Sequence, residues 1–188
     1  WNANNTFGFE RINWARLREA AVITTVSRYM KGLMHHWGVD ATVISNGLPD
    51  DAYLLPDEEA LRRLREKLPG RTLVAKMARW DSAKRWVAAI QAVAAMKSEG
   101  WRPLLIARGG REPYGKEILK FAAVLGLRVR ERALFSADER GMLGVLDDVN
   151  EVDVLNLLTP VEPKVRGLLF AGADAVLGSL DEIMQFIE

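Results

Sequence analysis

Leu73-Val74-Ala75-Lys76-Met77, then Ala78-Arg79-Trp80-Asp81, then Ser82 to Lys97 make up the stretch on which the fold turns. The first segment is mostly apolar and reads as a strand, and the second reads as a turn. The third reads as a helix, with Trp86, Ile90 and Val93 on one face and alanines beside them that permit close packing on a sheet. Toward the C-terminus the alternation repeats. Leu104-Leu105-Ile106-Ala107 is a second apolar strand, followed by Arg108-Gly109-Gly110. Helix Gly115 to Leu125, strand Leu127 to Leu134, helix Ala137 to Leu146, strand Val152 to Leu158, helix Val161 to Ala171 and strand Ala173 to Leu177 continue it. This pattern predicts an α/β fold, a Rossmann-like doubly wound parallel sheet with helices on both faces. Leu73–Met77, Leu104–Ala107, Val152–Leu158 and Ala173–Leu177 are expected to be parallel strands of one sheet, each buried on both faces. Arg128, Arg130 and Arg132 alternate on one strand face, which suits an edge strand, because charges there discourage further pairing.

Toward the N-terminus, a helix around Ile12 to Ala20 precedes the β-branched run Val22 to Val26. Ser27 can cap a helix from Arg28 to Trp37 that Gly38 ends. A short strand at Thr42-Val43-Ile44 meets the turn Asn46-Gly47. Pro56-Asp57-Glu58-Glu59 opens the next helix with acidic residues where the helix dipole favours them, and Leu61, Leu64 and Leu68 form its apolar stripe.

Composition removes several kinds of chemistry. With 188 residues, 49% hydrophobic and 27% charged, the chain has the balance of a globular protein with one good core or two small ones. Its formal net charge of +1 argues against a broad nucleic-acid surface. Without cysteine there is no disulfide framework, cysteine-ligated zinc or thiol nucleophile. No apolar run approaches the roughly 18 residues that span a bilayer, and the first residues lack a secretory pattern, so a cytoplasmic location is expected. His35 and His36 are adjacent and diverge by about 100° on a helix, which is poor geometry for a shared metal, and no metal site is expected. A dinucleotide-binding glycine pattern and a phosphate-loop lysine are both lacking.

In a doubly wound sheet, ligands bind at the carboxyl ends of the strands, so the loops after Met77, Ala107 and Leu177 are where chemistry is sought. Arg79 and Lys84 fall in the first of these loops. An arginine in the turn and a lysine in the first helical turn can face one anion, the arginine bidentately and the lysine as a point charge. They read also as solvated charges beside Asp81. Arg108, Gly109 and Gly110 form either a plain tight turn or a place where backbone approaches a ligand closely. Of the six tryptophans, Trp86 reads as core, whereas Trp80 stands beside the candidate arginine.

Ile23 to Lys31, Val43-Ile44-Ser45-Asn46-Gly47-Leu48, and Leu73–Met77 with Arg79-Trp80-Asp81-Ser82-Ala83-Lys84 stand in an order along the chain that is itself informative. Taken in that order, these segments resemble retaining glycosyltransferases of the two-Rossmann-domain kind related to glycogen and sucrose synthases. Trp1 to Phe9 is similar to a segment near the end of that family's acceptor domain. The resemblance implies that residues 1–50 are the tail of an acceptor-side domain with a hinge at Asn46-Gly47, whereas by composition the proline- and acid-containing stretch Pro49 to Glu59 is the best hinge candidate. It implies that residues 51–188 form an incomplete nucleotide-sugar donor domain. The implied activity is metal-independent transfer of a sugar from a nucleotide-diphosphate sugar to a carbohydrate or small-molecule acceptor, with retention and without a cofactor. Arg79 and Lys84 would hold the diphosphate, whose developing charge needs fixed cations where no metal is present. Arg108-Gly109-Gly110 would line the nucleotide pocket, although the arginine before the glycines departs from the family's usual form.

The family also carries a pair of glutamates separated by seven residues after the strand equivalent to Asp174–Leu177. Here Leu177 runs into Gly178-Ser179 and a helical pattern at Leu180 to Glu188, and Glu182 and Glu188 have the wrong spacing. The catalytic residues are therefore not assigned. A segment is expected to be omitted near 177–179, and the chain, which begins at Trp1, is expected to be part of a longer one. The alternatives are a non-catalytic nucleotide- or phosphate-binding domain and a nucleotide-sugar epimerase of the same architecture.

Overall fold

The structure is a computed structural model that describes residues 2–3, 6–47 and 56–178. The chain divides after Leu48 into two compact units. The first contains a parallel sheet of β1 (Asn2–Ala3), β2 (Thr24–Thr25) and β3 (Thr42–Val43), in that order. Helix α1 (Trp14–Ala20) begins where the Asn13 side chain accepts the Arg16 N–H, two residues later than the apolar pattern suggests. Helix α2 (Arg28–His35) is capped by Ser27, which accepts the Met30 N–H at 3.1 Å. Phe9, Trp14, Met30 and Met34 fill the core. Two polar groups buried with them are paired: the Trp14 indole N–H donates to the Phe9 carbonyl at 3.1 Å, and the Thr25 hydroxyl donates to the Ala3 carbonyl at 2.9 Å.

The second unit is the Rossmann-like one. Its strands are β4 (Thr72–Met77), β5 (Pro103–Arg108), β6 (Val129–Arg132), β7 (Val154–Leu157) and β8 (Ala175–Val176). They form one all-parallel sheet in the order β6-β7-β5-β4-β8. Its helices are α3 (Glu58–Glu66), α4 (Trp86–Ser98), α5 (Tyr114–Val124), α6 (Glu139–Val145) and α7 (Pro163–Gly172). Strand alternation sorts them between two layers. Val74, Leu105 and Val154 pack with Trp86, Ile90 and Val93 of α4 and with Ile118 and Ala122 of α5. Leu73, Leu104, Ile106 and Leu155 face the other way, against Leu64 of α3, Met142 of α6, and Val165 and Leu169 of α7. The sheet is covered on both faces, as near-continuous apolar strands require.

The winding locates a crevice. The loops leaving β4 and β5 lead to the α4–α5 face, whereas those leaving β6 and β7 lead to the opposite face. Because β5 and β7 are neighbours, their connections part above the carboxyl ends of the strands, which is where open α/β sheets bind ligands.

Three expectations are corrected. The strand at Ala173–Leu177 is not buried on both faces: only Ala175 and Val176 pair, at a sheet edge, and Val176 is 48% exposed. Strand β6 is the opposite edge, as its arginines suggest, but it spans only Val129–Arg132 rather than Leu127 to Leu134. The helix expected from Ser82 breaks at Arg85, which adopts φ 53° between a one-turn 3₁₀ helix (Ser82–Lys84) and α4. Most of the stretch Pro49 to Glu59, the expected break near 177–179 beyond Gly178, and residues 180–188 with Glu182 and Glu188 lie outside the described residues.

Opposite the crevice, at the amino ends of the strands, Arg71 is 8% exposed. Its guanidinium donates to the carbonyls of Arg102 (3.0 Å), Pro103 (2.6 Å), Val149 (2.7 Å), Asn150 (3.0 Å) and Val152. Burial draws its pKa below the usual arginine value. On the α3 side, Arg65 grips Asp174 bidentately at 2.7 and 3.0 Å, and Asp174 also accepts the Leu73 N–H at 2.8 Å.

Arg71→Ala is expected to destabilise the chain by about 2 to 4 kcal/mol in urea unfolding, because it strands buried carbonyls and removes charge-assisted hydrogen bonds. A loss below about 0.5 kcal/mol, the level of an ordinary surface site, would overturn that role. The hydrogen bonds from Arg65 hold the Asp174 carboxyl below its ordinary value, helped by the Leu73 N–H and opposed by desolvation. A carboxylate with a depressed folded pKa stabilises above the unfolded pKa and loses that contribution as pH falls through the folded one. Asp174→Asn should therefore cost about 1 kcal/mol or less at pH 7, after screening of a pair that is 41% exposed on each side, and should flatten the fall in stability below about pH 4. Stability measured across that range in both proteins checks it.

Candidate functional site

Three loops meet in the crevice. Met77, Ala78 and Arg79 come from the end of β4, Arg108, Gly109 and Gly110 from the end of β5, and Pro160, Val161 and Arg166 from the segment after β7, around a hollow of about 260 Å³. The register pairs Met77 with Arg108, so the first two loops begin at one level. Arg79, Arg108, Gly109 and Gly110 are thus brought together, and Arg166 joins them from the first turns of α7. The sequence reading missed Arg166. Its signal is its place just after the β7 loop, on the strand next to β5.

Lys84 stands outside this lining. It ends the 3₁₀ turn, half-buried, with its N–H donating to the Asp81 carbonyl at 3.0 Å, while the Asp81 side chain accepts the Ala83 N–H at 2.8 Å. It is therefore not in the first turn of α4, because Arg85 separates them. Arg79 itself is exposed, and its backbone is anchored by the Trp86 indole N–H, which donates to the Arg79 carbonyl at 2.8 Å.

Trp80 is 4% exposed and packs against Trp86, with ring centroids 3.9 Å apart. It offers no open stacking face. It also explains the glycines. Neither Gly109 nor Gly110 has a positive φ, so turn conformation does not call for glycine at either position. A Cβ on Gly109 would overlap the Trp80 indole, and one on Gly115 would lie 2.6 Å from Trp80 Cδ1. A Cβ on Gly110 would overlap the Glu112 carboxylate.

Glu112 is the second residue that the sequence reading missed. Its Oε2 accepts the Trp80 N–H at 3.2 Å. The hydrogen bond from its own backbone N–H, with those from Trp80 and Gly110 and the charge of Arg79, outweighs desolvation and holds its carboxyl below the ordinary range. The three arginines form no ion pair among the described residues, and the buried Arg108 Nε has no hydrogen-bond partner among them. Guanidinium groups grouped in this way, beside backbone amides, suit an anion such as phosphate.

A larger hollow of about 400 Å³ lies at the N-termini of α3, α6 and α7, but Asp57, Asp138, Glu139 and Glu162 line it against a single Lys164. Two of those carboxylates already cap helices, Asp57 on Glu59 N–H and Asp138 on Gly141 N–H. Its sign is wrong for a phosphate. His35 lies 3.8 Å from Asp40, His36 contacts the Gly32 carbonyl, and no group of three metal-binding side chains occurs among the described residues. Asn46 and Gly47 are exposed beyond β3. Among the described residues, no helix is long and apolar enough to cross a membrane.

The class defined by the fold is a Rossmann-like α/β domain with a cationic crevice at its switch point. Among solved structures, the chain is similar to a glycosyltransferase from Rickettsia africae ESF-5, with TM-score 0.51 and 15% identity over 94% of this chain and 42% of that one. A weaker likeness is to the N-terminal domain of Candida albicans trehalose-6-phosphate phosphatase, with TM-score 0.49 and 15% identity over 76% and 31% of the two chains. The chain spans less than half the length of either, and at such identity the likeness concerns the fold. Neither protein-family models nor curated proteins give a match.

Gly109→Ala is expected to cost about 1 to 3 kcal/mol through overpacking against Trp80. In a Trp80→Ala background, that cost should shrink by at least about 0.5 kcal/mol, since the two residues touch. Equal costs in both backgrounds, measured by chemical unfolding, would show that Trp80 is not what demands the glycine.

Proposed function

We propose that this chain carries the donor-binding part of a retaining glycosyltransferase and that the crevice holds the diphosphate of a nucleotide-sugar donor. The observation that carries this reading is the meeting of Arg79, Arg108 and Arg166 at the β5/β7 switch point with no ion pair among the described residues. Likeness of fold to a glycosyltransferase supports the class of reaction.

In this reading, the arginines bind the diphosphate in the ground state and stabilise the charge it gains as the sugar–oxygen bond breaks. No metal or cofactor is invoked. The acceptor, a carbohydrate or small molecule, and the carboxylates that face the sugar belong to parts of the enzyme beyond the described residues. The first unit serves as the end of the acceptor-side domain, with Asn46-Gly47 as its hinge, and the enzyme is placed in the cytoplasm.

Calorimetric titration with UDP, GDP and ADP at low salt tests the reading. One of them should bind, and Arg79→Ala or Arg166→Ala should weaken it by about 1.5 to 3 kcal/mol, the range for hydrogen bonds to charged groups. Lys84→Ala should weaken it less than Arg79→Ala, because Lys84 lies outside the lining of the hollow. Nucleoside-diphosphate affinities unmoved by Arg79→Ala and Arg166→Ala would leave these cations as ordinary solvated charges.

A further inference from the structure

Glu112 places a carboxylate against Gly110 at the side of the crevice, although it is not itself among the residues that line the hollow. It stands two residues beyond Gly110, in the loop between β5 and α5, yet its Oε2 accepts the backbone N–H of Trp80 in the loop after β4. It therefore bridges the two loops that supply Arg79 and Arg108. The carboxylate overlaps the place where a Cβ on Gly110 would stand, so a residue with a Cβ there would push the Glu112 side chain aside. Gly110 and Arg79 both line the hollow. Carboxylate and phosphate oxygens are interchangeable acceptors for backbone amides and guanidinium groups.

We infer that Glu112 is a built-in anion that occupies part of the phosphate-binding surface of the empty site and is displaced when a ligand phosphate arrives. Resting on the anion-site reading above, the inference adds a built-in competitor to it. A ligand must replace one negative charge with its own, so Glu112 lowers the affinity for any anion that takes its place. Glu112 is half-exposed on a loop, and its side chain turns outward at the cost of the hydrogen bond from the Trp80 N–H. The loop between Gly110 and α5 thus tunes affinity for an anion while contributing no bond to the bound ligand.

The test is titration of inorganic diphosphate and of orthophosphate into the full chain at low ionic strength, for wild type, Glu112→Gln, Glu112→Ala and Arg79→Ala. Glu112→Gln keeps the shape and an acceptor for the Trp80 N–H, so it preserves the fold if the alanine variant does not. Both Glu112 variants should bind diphosphate more tightly, by about fivefold, as expected for relief of one exposed like-charge contact. Orthophosphate should gain by a similar factor, because it displaces the same carboxylate, and Arg79→Ala should weaken both ligands. If wild type binds diphosphate through Arg79 but the Glu112 variants bind equally or more weakly, Glu112 supports the site rather than blocking it, and the inference falls while the anion site stands. If no variant binds diphosphate at millimolar concentration, the anion-site reading has failed and the inference falls with it.

Discussion

The donor set of one guanidinium determines where everything else in the second unit stands. Parallel strands have no hairpin to fix their register, and each is separated from its sheet neighbour by a helix or more of chain. Arg71 supplies the missing reference at the amino ends. It immediately precedes β4, and it binds carbonyls at the entry to β5 (Arg102, Pro103) and in the segment entering β7 (Val149, Asn150, Val152). Three central strands are thereby drawn to a common origin. Since β4 and β5 have six residues each and pair from Thr72↔Pro103 to Met77↔Arg108, they also end level. The adjacency of Arg79 and Arg108 at the crevice is thus the far consequence of an arginine at the opposite end of the sheet.

A second constraint acts at the crevice itself. Two indoles lie under the loops after β4 and β5, and both are almost fully buried. Trp86 holds the Arg79 carbonyl, and Trp80 fills the space that Gly109 and Gly115 leave open. An exposed arginine on a loop would ordinarily sample many positions, but here the backbone that carries it is tied to the core on one side and to Glu112 on the other. The same packing makes the glycines structural. Their lack of side chains serves Trp80 and Glu112, and it is through Glu112 that the Gly110 position acquires an electrostatic meaning.

Much of this was legible in the residues. Continuous apolar runs and short helical stripes disclose the doubly wound sheet, and the rule that ligands sit at carboxyl strand ends directs attention to Arg79 and to Arg108-Gly109-Gly110. What was hidden has physical causes. Arg85 breaks the expected helix by adopting a left-handed conformation that non-glycine sequences do not announce. The edge position of β8 depends on strand order, which local pattern does not encode, so an apolar run looked central. Arg166 reaches the crevice from another βα unit, brought there only by the adjacency of β5 and β7, and Glu112, in the β5–α5 loop itself, shows its role only once the fold sets it against the Trp80 N–H. Trp80 looked available because it neighbours a candidate ligand residue, whereas burial against Gly109 removes it from solution.

Two hollows of the second unit show why charge, not size, identifies the site. The larger is ringed by carboxylates at helix N-termini, where acidic residues answer the helix dipole and unpaired amides. Those charges have local partners, as the caps from Asp57 and Asp138 show, so their arrangement is explained without a ligand. At the smaller hollow the reverse holds. Its arginines form no ion pairs among the described residues, although acidic and basic residues are almost equal in number along the chain. Elsewhere in the unit, arginines find carboxylates readily, as Arg65 does with Asp174 and Arg130 with Asp148. Cations grouped without partners repel one another, and a fold keeps such a group at a cost in stability that a bound anion relieves. The Glu112 carboxylate, resting on the amides between them, offsets part of that repulsion in the empty protein, and so the residue that blocks the crevice also helps the crevice to form.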